Sequence, residues 1–288
     1  MRVGVLGLGV MVLALGIAAT ATGGPSAPAG IHGCAKDNLD LIEEGQLSLA
    51  TDNPAYPPWW GGAEKKPWKV SNPASGKGYE SAVAYAVAKQ LGFSKGQVKW
   101  NAVPFSNSFR PGKKPFDFYM AQVSYSAARA KNVSFSNSYY FVNQAVVANA
   151  DTAISGVRSV AGLRPYKLGA QVGTTSYDYI TDFIRPSQSP AVYDTNFDAI
   201  SALNSRQIDG IVVDLPTAFY VVAAELDDGT IVGKLPQRGP REHFGMVFQK
   251  GNTLVKCVNR ALNRLWANGT IKQLQKTYLA KAGAPDLR

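Results

Sequence analysis

The stretch Asp209-Gly-Ile-Val-Val-Asp214 predicts a buried β-strand that ends at a carboxylate. Earlier in the chain, Tyr166-Lys-Leu-Gly-Ala-Gln-Val172 predicts another strand, and Gly173-Thr-Thr-Ser176 predicts a turn that caps the following helix. Open α/β sheets place ligand-binding groups at the carboxyl ends of their strands. We therefore expect an α/β fold in which Asp214 and Thr175 lie at a ligand-binding edge.

The first half of the chain alternates between strand and helix in the same way. Gln46-Leu-Ser-Leu-Ala50 predicts a strand that runs into a Pro-rich loop over residues 51–60. Residues 78–92 have apolar side chains at helical spacing, and Gly92 ends that helix. The remaining predicted elements are strands over 98–103 and 116–123 and helices over 254–265 and 271–279. With 288 residues, 45% of them hydrophobic, we expect two lobes rather than one core.

The N-terminus has the composition of an export signal. Residues 3–19 form an uncharged apolar run behind Arg2, and a Gly/Pro/Ala/Ser-rich stretch follows. This pattern predicts a signal peptide over residues 1–21, cleaved on export, and a linker over 22–35. A membrane anchor is the alternative, although about 17 apolar residues diluted by glycine are short for a bilayer span. We expect the mature protein in the periplasm or on the extracytoplasmic surface.

Cys34 and Cys257 are the two cysteines of the chain. In the oxidising environment of an exported protein they predict a disulfide that ties the mature N-terminus to a C-terminal helix. Two unpaired buried thiols are the alternative. Metal binding is disfavoured, because His32 and His243 are the only histidines and the sequence has no close Cys/His spacing.

The formal net charge of +10 raises the possibility of nucleic-acid or membrane-surface binding. The lysines and arginines are scattered, however, and the sequence has no block of five or more. An exported protein also has no access to DNA. We therefore interpret the charge as a solvated surface and expect no nucleic-acid partner.

Gln122-Val-Ser124-Tyr-Ser126-Ala-Ala-Arg129 supplies a cation that complements Asp214. A free α-amino acid is a zwitterion, so a protein that binds one needs a fixed cation for the carboxylate and a fixed anion for the ammonium. Arginine suits the carboxylate, because its planar guanidinium donates two parallel hydrogen bonds and stays charged. The two segments predict a site for a free amino acid. In the alternative interpretation, Arg129 is a surface residue at a helix start and Asp214 caps the next turn.

Further short motifs follow one another along the chain. They are Thr51-Asp52 with Tyr56-Pro-Pro, Gly78-Tyr-Glu, Asn132-Val-Ser-Phe-Ser-Asn-Ser-Tyr-Tyr140, Gly173-Thr-Thr175, Phe244-Gly245 and Asn268-Gly-Thr270. Each motif is weak alone, but their order and spacing resemble the bacterial extracellular solute-binding proteins of family 3, the polar amino acid receptors of ABC transporters. The resemblance covers residues 45–280.

The resemblance implies a set of ligand contacts. The ligand carboxylate would meet the Arg129 guanidinium, the backbone of Ser124, and the hydroxyl and N–H of Thr175. Thr175 is expected to cap the helix that follows, and that position suits an anion, because helix N-termini carry free N–H groups. The ligand ammonium would lie against Asp214 and the Ser124 carbonyl.

The resemblance also implies a side-chain pocket. Tyr56 and Phe105 match positions whose rings sandwich the ligand side chain. Gln122 and Ser126 stand where the family often has Ser and Thr, and the longer Gln122 would extend into the pocket. Asp52 matches a position that meets the distal cation in receptors for basic amino acids, although Asp-Asn-Pro is also an ordinary turn. We expect arginine, lysine or a related amino acid as ligand.

The resemblance further implies a two-lobe periplasmic-binding-protein fold of type II, with two α/β lobes joined by a two-stranded hinge. The first lobe would comprise residues 36–142 and 246–288, and the second residues 147–240. Crossovers at 143–146 and 241–245 would form the hinge. The expected protein is a monomer without a cofactor, which closes around its ligand and delivers it to a membrane permease.

Two other classes of function share this fold. Cyclohexadienyl dehydratases are enzymes that resemble these receptors, but such an enzyme needs a general acid near the leaving group and has less use for an anion at the ammonium position. Asp214 therefore favours binding. The sequence also lacks a nucleophile elbow, a phosphate-binding Gly-rich loop and a His-based triad. A sensory module without a transporter would share every ligand contact.

Overall fold

The computed structural model describes residues 1, 4, 31, 33–279 and 283–288. The predicted signal peptide, apart from residues 1 and 4, and most of the predicted linker lie outside these residues. In the described part of the chain, none of the helices combines the length and apolar character that crossing a membrane requires.

Twelve strands and eight α-helices position the site within the described residues. The strands are β1 (Leu47–Thr51), β2 (Val98–Ala102), β3 (Phe118–Tyr119), β4 (Val133–Phe135), β5 (Tyr140–Phe141), β6 (Gln144–Asn149), β7 (Leu168–Gln171), β8 (Ala191–Tyr193), β9 (Gly210–Asp214), β10 (Gly229–Lys234), β11 (His243–Phe244) and β12 (Val247–Gln249). The helices are α1 (Tyr79–Gln90), α2 (Phe105–Ser108), α3 (Ala127–Asn132), α4 (Thr175–Tyr179), α5 (Asn196–Asn204), α6 (Leu215–Ala224), α7 (Leu254–Ala267) and α8 (Thr270–Tyr278).

The strands form two mixed five-stranded sheets. The first has the order β2-β1-β3-β12-β4, in which β1 runs parallel to β2 and β3 while β12 is antiparallel to its neighbours. The second has the order β10-β6-β9-β7-β8, in which β7 runs parallel to β8 and β9 while β6 is antiparallel to β9 and β10. The expected α/β architecture with two lobes is confirmed.

Each sheet has its own core. The predicted apolar face of α1 packs on the first sheet beside α7 and α8, and Gly92 follows that helix at φ 87°, a conformation that glycine adopts without strain. The second sheet is apolar on both faces: Val146 and Val212 pack on one side, and Val147 and Val213 on the other. Such double burial is typical of a sheet covered by helices on both faces.

Two connections between the sheets precede β6 and β12, and the chain returns to the second sheet once more at residues 283–288. A separate two-stranded ladder pairs β5 with β11, with Phe141 opposite His243 and Tyr140 opposite Phe244. The predicted crossover at 143–146 overlaps the start of β6, which already belongs to the second sheet, and the predicted crossover at 241–245 contains β11. Backbone segments that connect two lobes in this way can act as a hinge.

The predicted disulfide is confirmed. Cys34 and Cys257 are bonded, and the bond joins the segment before β1 to α7. Both cysteines are buried in the apolar core between the first sheet and helices α1, α7 and α8, and none of the described cysteines is free.

Two predicted boundaries were wrong, one of a lobe and one of a strand. Residues 283–288 were assigned to the first lobe, but the Lys234 N–H donates to Pro285 O at 2.7 Å and Leu287 is buried in the second core. The open edge of β10 leaves backbone groups that this segment satisfies. The strand predicted over 116–123 is only β3, because the chain turns away at Gln122, which has a φ of 52°.

Candidate functional site

A single cleft brings together all eight predicted ligand-binding residues. They are Asp52, Tyr56, Phe105, Gln122, Ser124, Arg129, Thr175 and Asp214. These residues come from strand ends, helix starts and the loops that follow the strands in both lobes, near the carboxyl ends of parallel strands. The same cleft is also lined by residues that were not predicted, among them Thr51, Trp60, Gln144 and Gln171.

Arg129 lies in the first turn of α3 and is buried. The Ser126 hydroxyl caps that helix by accepting from the Arg129 N–H at 3.2 Å. The guanidinium donates to Ser124 O at 2.5 Å and to Gly173 O at 2.6 Å, and its carbon lies 4.7 Å from the centre of the Phe109 ring. Burial lowers the pKa of Arg129 to about 10, so the guanidinium stays charged at neutral pH. Arg129 is therefore a buried cation at the cleft, which excludes the interpretation as a surface residue.

Asp214 ends β9 and caps α6. Its Oδ1 accepts from the Thr217 N–H at 2.9 Å, and its Oδ2 accepts from the Thr217 hydroxyl at 2.7 Å. Burial raises the pKa of Asp214 to about 6, although the two bonds from Thr217 favour the charged form. The capping interpretation is confirmed, and Asp214 lines the cleft as well.

Ser124 and Thr175 meet at Glu242, which lies in the second crossover. Glu242 Oε1 accepts from the Ser124 hydroxyl and the Thr175 hydroxyl, each at 2.6 Å, and from Gln144 Nε2 at 3.0 Å. Thr175 was predicted to cap α4, but the cap is Thr174, whose hydroxyl accepts from the Tyr177 N–H at 3.2 Å. Thr175 is instead the first residue of the helix.

Asp52 lines the cleft next to the carboxyl end of β1. Its Oδ1 accepts from the Asn53 N–H at 2.9 Å, as in an ordinary turn, and its Oδ2 accepts from Gln171 Nε2 at 3.4 Å across the cleft. Burial raises the pKa of Asp52. The buried hydroxyl oxygens of Thr51 and Tyr56 also line this region, and neither has a hydrogen-bond partner among residues 33–279 and 283–288. Polar groups of this kind favour a polar ligand.

Gln122 was expected to extend into the side-chain pocket. Instead its side-chain amide donates to Glu80 Oε2, and its backbone N–H donates to Glu80 Oε1 at 2.8 Å. Tyr139 also donates to Glu80. Burial raises the pKa of Glu80 to about 7, against the lowering effect of these hydrogen bonds. Glu80 therefore fixes both the backbone and the side-chain amide of Gln122 at the wall of the cleft.

Comparison with known proteins agrees with this architecture. The family model of the bacterial extracellular solute-binding proteins, family 3, matches residues 61–281, which is most of the chain. The chain belongs to this family. The resemblance inferred from the motifs is thereby confirmed.

Two relatives and one solved structure show how distant the similarity is. The arginine-binding extracellular protein ArtP of Bacillus subtilis is 23% identical over 222 residues, covering 75% of this chain and 83% of the relative. The ABC transporter glutamine-binding protein GlnH of the same organism is 23% identical over 214 residues, covering 73% and 76%. An ancestral arginine-binding protein bound to arginine matches with a TM-score of 0.67 at 24% identity, covering 82% of this chain and 99% of that one. The structural match confirms the type II periplasmic-binding-protein fold.

Direct hydrogen bonds join the two lobes of this solute-binding protein across the cleft. Trp59 Nε1 donates to the Thr217 hydroxyl at 2.8 Å, and Arg129 donates to Gly173 O. Together with the pair of Asp52 and Gln171, these bonds connect the first sheet's loops to the second sheet's strand and helix ends. The described residues contain no group of three or more His, Cys, Asp or Glu side chains that could hold a metal ion.

The site residues missed from the sequence include Gln144, Gln171 and Glu242. Gln171 ends β7 directly before the predicted turn, and this position at a strand's carboxyl end was a usable signal. Gln144 and Glu242 lie in the two crossovers, and their partners are distant in sequence. Nothing in their local sequence distinguishes them from other connecting residues.

Proposed function

We propose that this family member is the extracytoplasmic receptor of an ABC transporter and binds a free L-amino acid. The observation that carries the proposal is that the Arg129 guanidinium and the Asp214 carboxylate line the same cleft. Arg129 would bind the ligand carboxylate, and Asp214 would bind the ligand ammonium. The backbone N–H groups at the start of α4 would add donors for the carboxylate.

The charge balance of the cleft supports a basic side chain. Among the described residues that line it, Arg129 is the only cation, whereas Asp52 and Asp214 contribute two carboxylates. A neutral amino acid would neutralise Arg129 and Asp214 and leave the half-buried Asp52 without a counter-ion, which is unfavourable. A distal ammonium or guanidinium at Asp52 completes the pairing. We therefore propose arginine, lysine or a related amino acid as the preferred ligand.

Aromatic walls support the same ligand class. The rings of Tyr56, Trp60 and Phe105 line the same cleft as Asp52. A cationic head over such rings gains about 0.5–2 kcal/mol, depending on how far it is desolvated. The aliphatic part of a long side chain would pack against the same rings.

Capture by closure follows from the positions of the two charged residues. Arg129 belongs to the first lobe and Asp214 to the second, so one zwitterion that binds both would stabilise the closed arrangement. The ladder of β5 and β11 would serve as the hinge. We propose that the closed receptor then delivers its ligand to a membrane permease, and that residues 1–21 direct export.

A thermal-shift screen of the common amino acids on the purified mature protein tests the ligand class. Arginine and lysine should raise the unfolding midpoint most. A midpoint raised most by glutamate would overturn the basic preference, and no response to any amino acid would overturn the proposed function. Uptake of the ranked amino acid by cells that lack the protein would separate a transport receptor from a sensory module.

Asp52→Asn tests the side-chain assignment with two matched ligands. Arginine and its neutral isostere citrulline differ at the distal group, so the substitution should weaken arginine about tenfold or more and citrulline much less. The exposed Asp37 offers a control, since Asp37→Asn changes the net charge equally. Equal weakening of both ligands by Asp52→Asn would contradict the contact with a distal cation.

A further inference from the structure

Glu242 accepts hydrogen bonds from three residues that line the ligand cleft. Its Oε1 accepts from the Ser124 hydroxyl at 2.6 Å, the Thr175 hydroxyl at 2.6 Å and Gln144 Nε2 at 3.0 Å. Of the residues that the structure describes, Ser124, Thr175 and Gln144 line the ligand cleft, but Glu242 is not among those lining it. Glu242 instead lines a second cavity, which Thr175 and Gln144 also border. Glu242 therefore does not itself line the ligand cleft but contacts three residues that do.

The two hydroxyl groups can each donate only one hydrogen bond. An ionised carboxylate only accepts, so both hydroxyl protons point at Glu242. A hydroxyl whose proton is engaged offers only lone pairs to other partners. Ser124 and Thr175 thus present acceptors to the cleft, which suits the N–H groups of a ligand and does not suit its carboxylate.

The charge of Glu242 acts in the same direction. It lies close enough to Arg129 to favour the charged guanidinium, raising the pKa of Arg129 against the larger effect of burial. It also disfavours the charged form of Asp214, adding to the burial that raises the pKa of that carboxyl. A negative charge at this position repels a ligand carboxylate and attracts a ligand ammonium.

We propose that Glu242 is a positioning residue that sets the relative strength of carboxylate and ammonium recognition by holding the hydroxyl protons of Ser124 and Thr175. The inference rests on the proposed amino acid-binding function and adds a residue that the ligand does not touch. It also changes the role of the Thr175 hydroxyl, which the family resemblance assigns to the ligand carboxylate. With Glu242 in place, Arg129 and backbone N–H groups bind the carboxylate without help from that hydroxyl.

Three probes separate the two ends of the ligand. L-arginine carries both groups, agmatine lacks the carboxylate, and δ-guanidinovaleric acid lacks the α-ammonium. The Kd of each probe is measured by calorimetry at neutral pH. The measurement is made on the unaltered mature protein and on the variants Glu242→Ala and Glu242→Gln. In Glu242→Ala, the ratio of the agmatine Kd to the δ-guanidinovaleric acid Kd should rise about tenfold or more, because two donors are released to the carboxylate. Glu242→Gln loses the charge but keeps an acceptor, so it should shift the ratio less.

Two further variants distinguish two effects of Glu242: its hydrogen bonds to the hydroxyl groups of Ser124 and Thr175, and its negative charge alone. Asp178 also favours the charged form of Arg129 but has no hydrogen bond to Ser124 or Thr175 among those of the described residues. Asp178→Asn should therefore shift the ratio less than Glu242→Ala. Thr175→Val should weaken δ-guanidinovaleric acid about tenfold more in the Glu242→Ala background than in the unaltered protein, because only there is the hydroxyl free to donate.

The outcomes separate this inference from the function on which it rests. If the unaltered protein binds none of the common amino acids, the proposed function fails and the role of Glu242 fails with it. If L-arginine binds but neither Glu242 variant changes the ratio, only the role of Glu242 is wrong. An equal shift in Asp178→Asn, or an equal cost of Thr175→Val in both backgrounds, would show that the hydroxyl protons are not involved.

Discussion

Lowering the pH from about 7.5 to about 5 should weaken amino acid binding roughly tenfold, through protonation of Asp214. Burial raises the pKa of this carboxyl to about 6. Neither the ammonium nor the carboxylate of a free amino acid titrates in this range. A loss of affinity therefore reports on the protein, and the candidate group is Asp214, which is proposed to face the ammonium.

The magnitude follows from the ionised fraction of Asp214. With a pKa of about 6, the carboxylate is about 97% ionised at pH 7.5 and about 9% ionised at pH 5. If only the ionised form binds the ammonium, the observed affinity falls in proportion, by about tenfold or about 1.4 kcal/mol. The sign is fixed, because a raised pKa makes the protonated form the one that prevails as the pH falls through 6.

Calorimetry at constant ionic strength with the amino acid that ranks first in the screen measures this dependence. Asp214→Asn should bind more weakly at neutral pH and lose most of the slope between pH 5 and 7.5. The deaminated analogue, which has no ammonium, should show little slope with the unaltered protein. Asp52→Asn serves as the second control, because burial raises the pKa of Asp52 as well.

Two results would refute the assignment. A slope that persists in Asp214→Asn and disappears in Asp52→Asn would place the titrating contact at the side-chain end of the cleft. An equal slope for the amino acid and its deaminated analogue would show that the titrating group does not face the ammonium.

Three other predictions concern stability and the carboxylate contact. The free energy of unfolding should fall as the pH rises from about 4 to about 7. Folding raises the pKa of Glu80 to about 7 and of Asp214 to about 6, so the folded chain binds more protons than the unfolded chain in this range. Chemical denaturation of Glu80→Gln should show a flatter dependence on pH, and an unchanged dependence would contradict this prediction. Arg129→Ala should abolish detectable binding and lower the thermal midpoint, since the buried carbonyl of Ser124 and the carbonyl of Gly173 lose their donor; near-normal affinity in calorimetry would exclude the carboxylate contact. Replacing Cys34 and Cys257 with serine should cost on the order of 5 kcal/mol in the chain-entropy model, given a sequence separation of 223; scanning calorimetry that shows an unchanged midpoint would contradict this.

Periodicity and position predicted the parts of the fold that depend on local sequence. The apolar spacing of 78–92 placed α1 and its stop, because a helix face repeats every three to four residues. The apolar run before Asp214 placed β9 for a similar reason, since a strand buried on both faces is continuously apolar. The convergence of Arg129 and Asp214 required more than local pattern, and it came from matching their segments to a family with a known arrangement.

The predictions from sequence failed in two situations. In one, two neighbouring residues suit the same structural role, and in the other, a residue's hydrogen-bond partners are distant in sequence. Thr174 and Thr175 can both cap a helix, and only the backbone conformation shows that Thr174 does so. Glu242 gave no signal, because its bonds to Ser124, Thr175 and Gln144 span 118, 67 and 98 positions. Long-range hydrogen bonds of this kind have no local sequence pattern.

The structural roles of Arg129 and Asp214 are compatible with their proposed ligand-binding roles, because neither side chain is saturated by its protein partners. A guanidinium has five N–H donors, and Arg129 uses one each for Ser124 O and Gly173 O, which leaves enough for a carboxylate. Each Asp214 oxygen accepts one bond from Thr217 and keeps a lone pair for an ammonium. Both charges are thus held in place before a ligand arrives, which lowers the entropy lost on binding. The same anchoring means that a substitution at either residue changes stability as well as affinity, so each Kd must be measured on a variant whose cooperative unfolding is shown to persist.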